Sequence, residues 1–308
     1  MAEHQLKRGI ISVLQTPFCP AGAVDFDSFE QLVGDAIRTG VDGFLVPAVA
    51  SEVEYLTAEE REEIVRRVAQ WVDRRVPLVV GASSDEVGVC QSFARVAEDV
   101  DAEAYLVAVP AELYVDEEGL LAFFTKIAST NEVPLLIQDL QWNGPGLDLD
   151  TVARLKEALP TLIGLKIETV PAGPKYTAVR ERFGEKFFIA GGWAVPQWIE
   201  ALDRGIDAMI PESAMIGVYA GIYAHYQSGG REVAIDWFRR LLPILTYSNQ
   251  EIGTSIAFFK RLLVRRGVIQ HDTMRMPGFA WDEYNSRVAE ELISLYLELE
   301  NEITDNLS

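Results

Sequence analysis

The chain has few of the residues that build covalent cross-links or metal sites. Its 308 residues include two cysteines, Cys19 and Cys90, and three histidines. Two cysteines are too few for a disulfide framework, and no Cys or His residues have the paired spacing of a zinc site. We therefore expect no metal centre, and a reducing compartment, the cytoplasm, is the expected location.

Basic residues are also scarce, and long apolar runs are absent. There are 27 Lys and Arg residues against 47 Asp and Glu residues, which gives a net charge of −20. A surface of this charge repels nucleic acid and anionic membranes. No stretch of ~20 apolar residues could span a bilayer, and residues 1–8 are polar with no signal region after them. We expect neither a nucleic-acid partner nor a membrane partner.

Short apolar runs alternate with amphipathic stretches along most of the chain. The hydrophobic share of 49% is typical of a globular protein. Because the runs are apolar throughout, they predict strands that are buried on both faces of a parallel sheet. Eight strands are predicted: Gly9–Val13, Gly43–Val46, Pro77–Val80, Ala104–Val109, Pro134–Ile137, Leu162–Ile167, Phe187–Ala190 and Ala208–Ile210. Eight is the number that a (β/α)8 TIM barrel requires.

The alternation stops after the eighth strand. Residues 231–246, 255–267 and 282–302 have helical patterns with no strand between them. Ser228-Gly229-Gly230 forms a clear break before them. The sequence thus predicts an α/β protein with a barrel over residues 1–227 and a C-terminal helical extension over residues 228–308.

Lys166 closes the sixth predicted strand, after Leu162-Ile163-Gly164-Leu165. A lysine amine that loses water by burial is easier to deprotonate, and the neutral amine can attack a ketone to form an imine. The alternative is a lysine whose stem packs on the strand end while its head reaches solvent. The choice between them depends on the rest of the chain.

Other candidate residues follow neighbouring strands, where TIM barrels build their active sites. The amides of the small-residue turn Pro47 to Glu52 could bind a carboxylate, or the turn could be a tight connection. Gln138 follows the fifth strand, and Gly191-Gly192-Trp193 follow the seventh. Glu168 could hold Lys166 protonated, or it could lie in a loop without a role. No histidine falls at a strand end, so histidine acid–base catalysis is not expected.

Several segments of this chain resemble one known family. They are the opening Thr16-Pro17-Phe18 with Gly22-Ala23-Val24-Asp25, the turn Ser51-Glu52 followed by Leu56-Thr57, the strand Val76 to Gly81, and Ile163-Gly164-Leu165-Lys166. These segments are similar to those of the dihydrodipicolinate synthase and N-acetylneuraminate lyase family of class I aldolases. The resemblance extends across essentially the whole chain.

The resemblance implies a barrel with C-terminal helices that is usually a homo-oligomer, a tetramer or a dimer. It implies that Lys166 forms an imine with pyruvate or a related 2-oxo acid, without a cofactor. The imine withdraws electrons from the adjacent carbon, so that a carbon–carbon bond can be made or broken there, or water can be lost. Ala50 and Ser51 would bind the substrate carboxylate, while Gln138 and Gly191 would line the pocket, with Trp193 on its apolar side.

The chain departs from the family at three places. The paired hydroxyl residues before Gly-Glu are Val49 and Ala50 here. The fifth strand ends in Gln138, where the family has a tyrosine that relays protons, and an amide cannot act as an acid or base near neutral pH. Glu112 or Tyr114, after the fourth strand, could supply the relay. The arginine that dihydrodipicolinate synthases carry after the fifth strand is absent from residues 140–146, so lysine biosynthesis is not expected.

The leading hypothesis is therefore a Schiff-base lyase, an aldolase or dehydratase, that acts on a 2-oxo acid. Two alternatives stay open at this stage. One is a relative that binds a 2-oxo acid without turnover, since the tyrosine is missing. The other is a phosphosugar enzyme that holds phosphate at Gly191-Gly192 and at the Glu212-Ser213 turn.

Overall fold

The computed structural model describes residues 6–192 and 195–307. Eight parallel strands form a closed barrel in chain order, and β1 pairs with both β2 and β8. The strands are β1 (Gly9–Val13), β2 (Gly43–Val46), β3 (Leu78–Gly81), β4 (Ala104–Ala108), β5 (Leu135–Leu140), β6 (Leu162–Glu168), β7 (Phe188–Gly191) and β8 (Ala208–Met209). Each lies within three residues of its predicted bounds, so the predicted TIM barrel is confirmed.

Eleven helices lie within the described ranges, eight of them around the barrel and three after it. They are α1 (Phe26–Arg38), α2 (Ala58–Val72), α3 (Val87–Asp99), α4 (Glu117–Ala128), α5 (Leu149–Ala158), α6 (Gly173–Phe183), α7 (Trp198–Asp203), α8 (Ile216–Gln227), α9 (Arg231–Ser248), α10 (Ile252–Arg265) and α11 (Glu283–Leu307). None of the helices in these ranges is both long and apolar enough to cross a membrane.

The helix starts follow from local chemistry. α2 begins at a capping box, in which Glu60 N donates to Thr57 Oγ1 and Thr57 N donates to Glu60 Oε2. Helix α6 was not predicted, because its apolar stripe is reduced to Tyr176, Val179 and Phe183 among charged residues. The sequence from Ala194 to Arg204 has the apolar periodicity of a helix, and α7 lies within it; Ala194 itself is outside the described residues.

The strands bury both faces, as their composition predicts. Ile11, Leu45, Leu106 and Leu136 belong to a cluster inside the barrel. A larger apolar cluster fills the layer between the sheet and the helices. Because side chains alternate along a strand, the two clusters use opposite faces of the same strands.

The extension packs against the barrel instead of standing apart. Helices α9 and α11 contact α8, and buried residues of α9, α10 and α11 join the apolar cluster of the outer barrel layer. The boundary predicted between residues 227 and 228 falls in the turn between α8 and α9. The division into two domains at that turn stays a prediction, and the core is continuous across it.

A buried ion pair fixes the extension to the second barrel loop. The Lys260 ammonium on α10 pairs with the Glu52 carboxylate, and both side chains are fully buried. Glu52 also accepts hydrogen bonds from the backbone N–H groups of Arg275 and Met276, each at 2.7 Å. Lys260 donates to the carbonyl of Thr273 at 2.8 Å. These contacts hold α10 over the mouth of the barrel.

Candidate active site

A pocket opens at the carboxyl end of the barrel, where TIM barrels place their active sites. Its volume is about 640 Å³ including the open mouth. Strand ends and the loops after them form its floor, and α9 and α10 supply one wall. The residues from that wall are Leu245, Asn249, Ile252, Ser255 and Phe259.

Lys166 lies on the floor of this pocket. Its neighbours on β6, Leu165 and Ile167, pack in the layer between the sheet and the helices, so Lys166 points into the barrel. Only 4% of the residue is exposed. The Lys166 head group therefore faces the pocket, and the alternative of a head group that reaches bulk solvent does not apply.

Glu168 holds the Lys166 amine. The Lys166 Nζ lies 3.0 Å from Glu168 Oε2, and both side chains are buried. Gln138, which pairs with Lys166 in the β5–β6 register, donates from Nε2 to the same oxygen at 2.5 Å. Of the two sequence-based interpretations of Glu168, the structure thus agrees with a carboxylate that holds the lysine. The resting amine is part of an ion pair, which differs from the neutral amine that burial alone would favour.

Gly192 shapes the pocket next to this pair, whereas Gly191 was predicted to do so. A Cβ atom at Gly192 would lie 2.0 Å from Glu168 Oε1 and 2.7 Å from Lys166 Cε. Any side chain there would displace the pair. A Cβ at Gly191 would instead meet the Tyr176 hydroxyl at 2.5 Å, on the helix side of the strand. Gly191 was predicted to line the pocket, but the neighbouring Gly192 does so instead. Trp193 lies outside the described residues.

The turn after β2 contributes backbone to the pocket, but Ser51 does not present its side chain there. Ala48, Val49 and Ala50 line the pocket. The Ser51 hydroxyl donates to the Leu14 carbonyl at 2.6 Å and accepts from Ala48 N at 3.0 Å. Its own N–H donates to the Ala48 carbonyl. Since these bonds occupy Ser51, it shapes the turn, and the predicted contact between its hydroxyl and a substrate is not supported.

Neither predicted relay residue reaches the pocket. Glu112 is exposed and lines a separate groove with Asp85 and Lys126. The Tyr114 hydroxyl donates to Asp139 Oδ1 at 3.0 Å, and Asp139 also pairs with Lys175. Burial, and then the Asp139 charge, raise the pKa of Tyr114 far above its usual value. A phenol held this way fixes the loops after β4 and β5 and is unsuited to proton relay.

Two pocket residues from the end of β8 and from α8 were not predicted to act in catalysis. Tyr219, Tyr223 and Tyr226 have the spacing of a packed helix face in the sequence, and Tyr219 is buried while also lining the pocket. Glu212 was considered only as part of a phosphate site. Its side chain is buried in the pocket wall, and burial raises the pKa of its carboxyl group to about 7. Its position, one residue beyond Pro211 after the eighth predicted strand, was the available sequence signal.

The site has no metal-binding arrangement among the residues described here. No group of three or more His, Cys, Asp or Glu side chains comes together within residues 6–192 and 195–307. Lys166 is the one cation among the described residues that line the pocket. The chemistry available to these residues is thus that of an amine, two carboxyl groups, amides and hydroxyls.

A TIM barrel with a buried lysine at the end of its sixth strand has the architecture of a lysine-dependent aldolase. The comparison with known families agrees: the model of the "Dihydrodipicolinate synthetase family" matches residues 6–294. The chain belongs to this family. The predicted class, a Schiff-base lyase that acts on pyruvate or a related 2-oxo acid, is confirmed at that level.

Three relatives illustrate the range of this family. The chain is 26% identical to L-2-keto-3-deoxyarabonate dehydratase of Azospirillum brasilense over 277 residues, which is 88% of each chain. The structure of the Ruminococcus gnavus sialic acid aldolase superposes with a TM-score of 0.89, at 17% identity, over 97% of this chain and 100% of that one. YagE from E. coli K12, in complex with pyruvate, superposes with a TM-score of 0.84 at 23% identity, over 95% and 98%. The two structural likenesses show the fold.

Proposed function

We propose that this protein is a class I lyase in which Lys166 forms an imine with the C2 carbonyl of pyruvate or a related 2-oxo acid. The reaction is either the loss of water or the making or breaking of a carbon–carbon bond. The observation that carries the proposal is the Lys166 amine, buried on the pocket floor and 3.0 Å from the Glu168 carboxylate. An amine and a carboxylate at this distance can exchange a proton directly.

Glu168 has a role in each step of imine formation. It accepts a proton from the Lys166 ammonium, and the neutral amine attacks C2 of the oxo acid. The attacking nitrogen passes one of its two protons to the C2 oxygen, and Glu168 returns the proton that it accepted. The oxygen leaves as water, and the C2–N iminium remains with one hydrogen on nitrogen. The restored carboxylate stabilises the positive charge of the iminium, because the two groups face each other in a pocket that excludes most water.

The substrate carboxylate is proposed to bind beside the turn after β2. Ala50 lies there with Ala48 and Val49, and their small or apolar side chains leave the backbone accessible. Backbone N–H groups in a turn are suitable donors for a carboxylate. The proposal keeps the predicted role of Ala50. Gln138 is proposed to hold the Glu168 carboxylate in place through their hydrogen bond.

Dehydration is the favoured reaction within this class. A carboxylate beside the imine nitrogen can remove a proton from C3 of the iminium, and Glu168 in this role does not need the missing tyrosine. The relative of Azospirillum brasilense is named a dehydratase and matches this chain over 88% of its length. The phosphosugar alternative is disfavoured, because a phosphate beside Gly192 and Glu212 would meet two carboxyl groups and a single lysine.

Deuterium exchange into pyruvate tests the proposal without a second substrate. We expect the protein to exchange the methyl hydrogens of pyruvate in D2O, because the iminium acidifies C3 and Glu168 removes the proton. Glu168→Gln should slow exchange by about 10² to 10⁴-fold. The exposed Glu185→Gln serves as the matched control and should leave the NMR-detected rate unchanged. If pyruvate exchanges no faster with the wild-type protein than in D2O alone, the proposal is contradicted. An exchange rate in Glu168→Gln equal to that of wild type would also contradict it.

The protein is also proposed to be a homo-oligomer, a dimer or a tetramer. Three apolar side chains, Val115, Trp142 and Val170, are exposed on consecutive loops after β4, β5 and β6. Exposed apolar side chains can mark protein–protein contacts. Light scattering should give a mass of two or four chains, and a single-chain mass at micromolar concentration would contradict this.

A further inference from the structure

Glu212 is a buried carboxyl group that the imine chemistry above does not use. It follows β8, and its backbone bridges to Val13 of β1, so its position is fixed by the barrel. Its side chain lines the same pocket as Lys166 and Glu168. Glu212 Oε2 accepts a hydrogen bond from the Ala214 N–H, whereas Oε1 is buried and makes no hydrogen bond within the described part of the chain.

The groups around Glu212 do not neutralise a charge on it. Gln15 and Tyr219 lie near the carboxyl, and Gln15 Oε1 already accepts from Ser213 N at 3.2 Å. Arg266 is the cation on this side, and it is committed to Asp35 at 2.9 Å and to Glu300 at 3.0 Å.

The remaining neighbour belongs to the last helix. Tyr296 of α11 also lies near Glu212, and its hydroxyl donates to Glu300 at 2.9 Å. Within residues 6–192 and 195–307, Glu212 forms no ion pair, since Arg266 pairs with Asp35 and Glu300. A buried carboxyl without a counter-charge favours its protonated form.

The two carboxyl groups of the pocket thus have opposite environments. Glu168 has a cation beside it, because it accepts hydrogen bonds from the Lys166 ammonium and the Gln138 amide. Burial raises the pKa of Glu212 to about 7, while Ala214 N–H, Gln15, Tyr219 and Arg266 lower it only in part. Carboxyl groups that differ in this way commonly divide the roles of base and acid between them.

We infer that Glu212 is the proton donor of this pocket, and that it protonates the hydroxyl group that leaves from C4 of an imine-bound 4-hydroxy-2-oxo acid. This inference rests on the proposed imine function and adds to it the substrate class and a second catalytic residue. Glu212 lines the same pocket as the Lys166 amine, and the polar side chains beside its carboxyl, Gln15 and Tyr219, are uncharged. The acid replaces the tyrosine that this chain lacks at Gln138.

The step balances without an oxidant, a reductant or a metal. Glu168 takes a proton from C3, and the C–H electron pair converts the iminium to an enamine. The enamine electrons form the C3–C4 double bond as the C4–O bond breaks. Glu212 gives its proton to the departing oxygen, and water leaves. Hydrolysis of the conjugated iminium releases the unsaturated 2-oxo acid and Lys166, and water carries the proton from Glu168 back to Glu212.

The test compares wild type, Glu212→Gln and Glu212→Asp with 4-hydroxy-2-oxopentanoate, whose neutral tail suits a pocket with one cation. Glu212→Gln keeps the shape of the side chain but cannot donate an acidic proton. We expect it to lose about 10² to 10⁴-fold in the rate of conjugated product formation. Borohydride trapping of pyruvate should still label Lys166, and deuterium exchange should fall much less than dehydration, because these two reactions use Lys166 and Glu168. Glu212→Asp should retain part of the dehydration rate.

The pH profile provides a second readout that does not depend on a variant. Wild-type dehydration should fall as pH rises through about 7, because Glu212 loses its proton there. The residual dehydration rate of Glu212→Gln should not show this fall with rising pH. A full dehydration rate in Glu212→Gln would overturn the inference. So would a wild-type rate that rises through that range, or a wild type that traps pyruvate but forms no product from the probe. Failure to trap pyruvate at all would instead refute the proposed function.

Discussion

Replacement of Lys166 by arginine is expected to abolish turnover while the fold is retained. A guanidinium can still pair with Glu168, so the buried carboxylate keeps a counter-charge, but it cannot form an imine with a ketone. The expected loss is at least about 10⁴-fold in kcat, because the covalent route is removed and not merely weakened. The measurement is the rate of deuterium exchange into pyruvate, together with dehydration of 4-hydroxy-2-oxopentanoate.

The matched control is Lys186→Arg, since Lys186 is exposed on the chain before β7. This variant should match wild type in both assays. Circular dichroism and thermal melting would establish that Lys166→Arg is folded. A folded Lys166→Arg protein that retains a tenth of the wild-type rate would remove Lys166 from the mechanism.

Lys260→Met is expected to have the largest effect on stability. It leaves the Glu52 carboxylate fully buried, with two N–H donors and without its paired cation; the nearby Arg275 guanidinium is paired with Glu60. Loss of one partner of a buried pair lowers the free energy of unfolding by about 3 to 5 kcal/mol. The Lys260 ammonium also lies 4.3 Å from the centre of the Phe18 ring, so packing at the barrel mouth changes as well. Urea unfolding measures the difference.

Arg239→Met is the control for this prediction, because Arg239 pairs with Asp236 on an exposed surface. It should change the free energy of unfolding by less than about 1 kcal/mol. The double variant Glu52→Gln/Lys260→Met should recover part of the loss, since a neutral amide still accepts from Arg275 N and Met276 N. Equal unfolding curves for Lys260→Met and Arg239→Met would show that the pair does not hold the extension.

The barrel could be predicted from the sequence because each strand is a short apolar run, and such a run can be identified from local composition alone. The strand count then placed Lys166 on the sixth strand. The register between strands could not be predicted in the same way, because it depends on how the barrel closes. Gln138 and Lys166 are neighbours only through the β5–β6 pairing. The contact between Gln138, which departs from the family pattern, and Glu168 could therefore be found only in the structure.

The parts of the site that were missed come from long-range packing. Phe259 lies on α10 and Asn249 directly follows α9, both in the predicted extension. Nothing in their local sequence indicates that this part of the chain covers the barrel mouth. The candidates that proved wrong were chosen from local sequence alone. Tyr114 and Glu112 were selected for their residue type and closeness in sequence to a strand end. Their side chains are directed elsewhere, because Tyr114 donates to Asp139 and Glu112 is exposed.

The central claim is that the Lys166 amine bonds covalently to a 2-oxo acid, and borohydride trapping tests it most directly. The protein is incubated with pyruvate, reduced, digested and mapped by mass spectrometry. The account predicts that Lys166 alone gains the mass of pyruvate less one oxygen atom, and that Lys166→Arg gains none. An unmodified Lys166 under saturating pyruvate, or a modification on another lysine, would contradict it.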